Sequence, residues 1–142
     1  GGSSLQEMVV PVIEVDTDRY QQKDGFVKVE LSTFNTTISA TVFKIDFMQM
    51  EPVTDKKKGR ELVAFFEDAD SNRISYEVPL IADIRDTDAA KRLITEKFVL
   101  KGDEYRSSDD YYLVVCERRN EKVEIIRQKF TIDIPEYMNV RD

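Results

Sequence analysis

The sequence has no histidine, no tryptophan and a single cysteine. Without histidine there is no Ser-His-Asp or Cys-His nucleophile arrangement and no imidazole metal ligand. Carboxylates, lysine and tyrosine remain for chemistry, and no spacing among them signals a site. One cysteine, Cys116, excludes an intrachain disulfide and fits a reducing compartment, so the expected location is cytoplasmic. No apolar run approaches the ~20 residues that a membrane-spanning helix needs, and no membrane partner is expected. No signal peptide is visible. Positive charge is in deficit: 21 Lys and Arg stand against 28 Asp and Glu, a net charge of -7. That balance disfavours nucleic acid as a partner, because such binding draws its affinity from basic side chains on phosphates. Helical periodicity is also scarce, with no apolar stripe lasting beyond about two turns.

What is present is alternation. In 142 residues, enough for one real core, Val27, Val29 and Leu31 alternate with Lys28 and Glu30. Phe43, Ile45 and Phe47 alternate with Lys44 and Asp46; Ile74, Tyr76, Val78 and Leu80 alternate with Ser75, Glu77 and Pro79. Phe98 and Leu100, Val123 and Ile125, then Phe130, Ile132 and Ile134 continue the pattern. Leu62 to Phe66 and Tyr111 to Cys116 are apolar on both sides of the pleat, as central strands are. Turn-prone residues separate these runs at Asp68–Asn72, Lys101–Asp103 and Arg119–Glu121. One short helix is expected at Asp86 to Arg92, capped by Asp86 or Thr87. The pattern predicts an all-β fold, an antiparallel immunoglobulin-like β-sandwich of about seven strands. Immunoglobulin-like means architecture only, since the tryptophan and cysteine pair of antibody domains are missing.

Several clusters invite a functional reading. Lys56, Lys57, Lys58 and Arg60 form a basic stretch, read first as a solvated loop and second as an interaction surface. Tyr111 and Tyr112 point to opposite faces of a regular strand, one into the core and one outward, where a base or sugar could stack. Asp68-Ala69-Asp70-Ser71-Asn72 begins like a calcium loop, but Arg73 and Pro79 stand where that loop needs Gly and a bidentate Glu. A hairpin turn is expected there instead. Cys116, inside an apolar strand, reads as a small buried hydrophobe.

The opening is of a different kind. Ser4-Leu5-Gln6-Glu7 fits a capping box and Val10-Pro11-Val12-Ile13-Glu14-Val15 a strand. Residues 16–25 read as a linker, and 26–142 as the sandwich domain. The stretch Gly1 to Ile13, GGSSLQEMVVPVI, resembles the last motif of PglZ-domain proteins, members of the alkaline phosphatase superfamily. In that family a metal-ligand histidine stands directly before the two glycines. Phe47 to Val53, Glu77 to Asp83 and Phe130 to Ile134 are similar to the β-rich region that follows the PglZ catalytic domain.

The resemblance implies that residues 1–15 are the terminal motif of a preceding catalytic domain and that the rest is its C-terminal domain. It implies a zinc-like divalent metal in that larger part, with no cofactor and no catalytic residue in this chain. It further implies antiviral defence of the BREX or phage-growth-limitation type, with the upstream catalytic domain and other defence subunits as partners. Two functions follow as expectations. One is a non-catalytic accessory or interaction domain. The alternative is a nucleic-acid or ligand-binding module that presents substrate through Lys56, Lys57, Lys58, Arg60, Tyr111 or Tyr112. An independent metal hydrolase is disfavoured, because two-metal hydrolysis needs clustered ligands.

Overall fold

Alternation of period two turns one row of side chains inward along each strand, and two such rows face each other across the core. The computed structural model describes residues 25–102 and 104–135. Among them run β1 (Val29–Leu31), β2 (Thr37–Ile38), β3 (Val42–Gln49), β4 (Arg60–Asp68), β5 (Val78–Ala82), β6 (Leu93–Val99), β7 (Tyr111–Glu117) and β8 (Asn120–Ile132). They make two sheets, one ordered β1-β3-β6 and one ordered β2-β8-β7-β4-β5. The fold is an all-β sandwich, as the alternation predicts. The expected helix, strand and linker of residues 1–24, and the tail from residue 136, lie outside the described residues.

Phenylalanines join the two layers. Phe66 of β4 meets Phe43 and Phe98 of the small sheet edge-on, at 5.3 and 5.4 Å between centroids, and Phe130 of β8 at 5.2 Å. Such pairs add about 0.5–1.5 kcal/mol each beyond the area they bury. Phe47, Phe66, Phe98 and Phe130 are among the largest fully buried side chains. β4 and β7 are apolar on both faces, as read. Leu62, Ala64, Phe66, Leu113 and Val115 join the central core, while Val63, Phe65, Val114 and Cys116 form a second buried cluster with Tyr112 packed against it.

Four expectations are corrected. The sandwich is not wholly antiparallel: β2 pairs with β8 in parallel, Thr37 opposite Thr131 and Ile38 opposite Ile132. The chain reaches β2 by crossing from the small sheet to the large one, and a crossing strand is free to run either way. The strand expected over Ile74 to Leu80 begins only at Val78. Before it the chain changes sheets: Ile74 N–H donates to Phe66 O of the large sheet and Tyr76 N–H to Val99 O of the small one. The helix is a single 3-10 turn, Ala89–Arg92, and its cap is Asp88, whose carboxylate accepts from Ala90 N.

The last expected turn sits one residue earlier, as the two-residue loop Arg118-Arg119 between Glu117 and its partner Asn120. Neither arginine has a positive φ, which the usual two-residue hairpin turns require. Register shifts at Val115/Cys116 and Cys116/Glu117 absorb the mismatch in twist.

Candidate functional site

The basic stretch lies where the described chain begins. Thr54 N–H donates to Lys57 O, and the Thr54 hydroxyl accepts from the amides of Lys56 and Lys57, so the lysines ride on a capped turn. Lys58 N–H donates to Gly25 O at 2.7 Å, and Val27 N–H donates to Lys58 O. Gly25 has φ +70, and a Cβ there would lie 3.2 Å from Lys56 O, so a side chain at this junction is both strained and crowded. Lys56 and Lys58 are exposed; Lys57 is half-buried and approaches Glu51 at 3.9 Å.

Arg60 does not share this surface. It is 2% exposed, its Nε donates to Val27 O at 2.6 Å, and its Nη1 donates to Glu117 Oε2 at 2.6 Å. Its guanidinium also lies 5.3 Å from the Phe26 ring centroid. Gly59 sits just before it, where a Cβ would come within 2.8 Å of Ala82 O. The signal for this burial was in the sequence: Arg60 is in phase with Leu62, Ala64 and Phe66, the inward row. With Phe26, Gly59, Glu61, Glu117 and Arg119 it lines an open hollow of about 230 Å³.

Tyr111 is buried and Tyr112 half-buried, on opposite faces as read. The Tyr111 hydroxyl accepts from Arg106 N at 3.1 Å. Tyr112 carries Arg127 over its ring at 5.5 Å. Tyr111 lies opposite Asp68 at one end of β4, and the lysines precede Arg60 at the other. At ~3.3 Å per residue those ends are roughly 26 Å apart. The structure therefore does not bring the six candidate residues together, and it buries two of them.

The outer face of the large sheet holds an arrangement that the sequence did not announce. Over Val63, Phe65, Val114 and Cys116 lie two arginines. Arg73 sits 3.9 Å from the Phe65 centroid and pairs with Glu77 and with Glu121, the latter at 2.5 Å. Arg127 pairs with Glu124 at 2.7 Å and Glu67 at 3.1 Å. The hydrogen bond with Glu124, then that with Glu67, raises the pKa of Arg127. Burial, followed by the charge of Glu121, pushes the Cys116 thiol up to about 11. A thiol so placed stays protonated and unreactive at neutral pH.

Two buried polar side chains were also missed. Gln49 donates to Glu51 O and Ile84 O and accepts from Ile84 N. Arg92 donates to Gln49 O, Asp86 O and Met50 O. Together they tie two loops to the end of β3. Both contribute to the fold by satisfying backbone groups that burial would otherwise orphan.

The Asp68–Asn72 stretch is a hairpin turn. The Asp68 carboxylate accepts from the amides of Asp70 and Asn72, each at 2.9 Å, and the Asn72 contact foremost lowers its pKa. Ser71 takes the left-handed conformation, φ 69, that closes a three-residue loop. Among the described residues, no group of three or more His, Cys, Asp or Glu side chains is placed to hold a metal ion. No helix among them is long and apolar enough to cross a membrane.

No family model matches the sequence. One curated protein does: the alkaline phosphatase-like protein PglZ of Bacillus cereus (strain H3081.97) is 39% identical over 94% of this chain. The chain is homologous to the C-terminal region of PglZ. It spans 16% of that protein's length. Coverage of 94% cannot come from the opening motif, so the likeness to PglZ runs through the β-sandwich itself.

Proposed function

We propose that this chain is a non-catalytic accessory domain, docking on the phosphatase-like part of a PglZ-type protein and on other subunits of a cytoplasmic phage-defence system. The observation that carries this reading is the 39% identity over 94% of the chain to a segment that makes up 16% of PglZ. A sequence without histidine is consistent with it. A domain of this kind contributes contacts rather than chemistry, and the zinc-like metal belongs, in this reading, to the larger part. The test is removal of residues 26–142 from a full-length PglZ-type protein that carries this segment. Hydrolysis of a nitrophenyl phosphate diester should persist, and co-purification with defence subunits should be lost. Hydrolysis by the isolated chain, or undiminished co-purification after the deletion, would overturn the proposal.

A further inference from the structure

The residues from Leu31 to Phe43, LSTFNTTISATVF, carry no charge at all. In a chain with 35% charged residues, this is the longest uncharged stretch. It links β1 to β3 through β2 and crosses between the sheets. Near its start Phe34 is 97% exposed, the most exposed of the large hydrophobic side chains described, and at its end Val42 is 49% exposed. Scattered apolar residues on a surface are ordinary. An aromatic ring held almost wholly in water is not, because its burial anywhere would release about 1.5–3 kcal/mol of transfer free energy.

The loop around Phe34 is pinned on both sides. Before it, Ser32 N–H donates to Asp46 O at 2.8 Å, and the Thr33 hydroxyl accepts from Asp46 N at 2.7 Å. After it, the Asn35 side chain accepts from Thr37 N at 3.0 Å, and Thr36 O accepts from Thr131 N at 2.8 Å. The first pair of bonds reaches the small sheet and the Thr131 bond reaches the large one. Phe34 is therefore displayed on a backbone whose ordering cost has been met by folding, which favours affinity when the ring finds a pocket. The stretch itself has the composition of an interface core, where charges are depleted and aromatic anchors enriched, with Asp46 and the exposed Asp133 at its border. Asn35, Thr37 and Ser39 are exposed beside it and offer neutral hydrogen-bonding groups.

We infer that Phe34 is the anchor by which this domain docks, entering an apolar pocket on the remainder of the PglZ-type polypeptide. The inference rests on the docking reading above and gives it a residue. The occupant is taken as the rest of the same protein because the chain spans only 16% of its curated relative. The stretch offers no countercharge of its own to a charged ligand, and its exposed ring suits an apolar protein surface.

The experiment is photo-crosslinking in the full-length protein that carries this segment, with Phe34→p-benzoylphenylalanine, and with the same residue at Lys56 as a control on a different loop. Crosslinks from position 34 to peptides outside residues 1–142 of the same polypeptide are expected. Crosslinks from position 34 to a second copy of this domain would overturn the assignment of the occupant. Crosslinks from position 56 but none from 34 would overturn the anchor and leave the docking reading standing. None from either position would remove both. Phe34→Ala in the isolated chain should leave its melting temperature unchanged, so that a lost contact is not mistaken for a lost fold.

Discussion

Four polar residues sit on inward-facing positions, three of them at strand ends and one in mid-strand. Gln49 follows Ile45 and Phe47 in phase, Arg60 precedes Leu62, Glu96 lies between Ile94 and Phe98, and Glu117 follows Leu113 and Val115. Arg60 and Glu117 meet as an ion pair whose side chains are 1% and 19% exposed. Removing one partner of such a pair leaves the other poorly solvated and unpaired, which costs more than the pair itself contributes. Arg60→Leu should therefore lower stability by about 2–4 kcal/mol. Lys58→Ala, two residues away on the exposed turn, should change it by no more than about 0.5 kcal/mol. Urea midpoints at unchanged slope would measure both; equal effects would show that Arg60 is as solvated as its neighbours. Composition placed Arg60 with the lysines. Its phase with the inward row of β4 places it with the core, and phase is the better guide.

At the scale of elements, legibility followed the regularity of the inward row. β3, β4 and β7 carry apolar inward rows broken only at a strand end, by Gln49, Arg60 and Glu117, and were readable; β8 is one strand, Asn120–Ile132, where the sequence shows two runs, because the exposed Arg127, Gln128 and Lys129 interrupt the alternation. β2 is two residues long, too short for any period to show. The first half of β6 was hidden by Glu96, which stands opposite Ile45 on the inner face and interrupts the apolar row. Its carboxyl is raised above the ordinary value by burial. A group with a raised pKa binds its proton more tightly in the folded chain than in the unfolded one. Stability then falls as pH rises through the interval between the two values, and the full penalty applies at neutral pH. Glu96→Gln should raise the melting temperature at pH 7 and lose most of that gain below about pH 4, where both forms are neutral. A melting temperature that drops at pH 7 would contradict this. An inward charge on β6, at the edge of the small sheet among the described strands, also discourages strand addition from another molecule.

At the scale of the whole molecule, the site proved less readable than the fold. The six residues singled out from composition lie at two ends of β4, and two of them are buried. The stretch that now carries the docking inference, Leu31 to Phe43, gave no motif. Its content is an absence of charge, and only the exposure of Phe34 gives that absence meaning. The resemblance of the β-rich stretches to PglZ extended over most of the chain, since 94% of it is covered at 39% identity.

Under the proposal made above, this domain acts by docking on the rest of a PglZ-type protein. Amide hydrogen exchange measures it most directly, comparing residues 25–135 in the isolated chain and in the full-length protein. The same protection is expected in the core strands of both, with added protection over residues 31–43 in the full-length protein. Identical exchange throughout would contradict it.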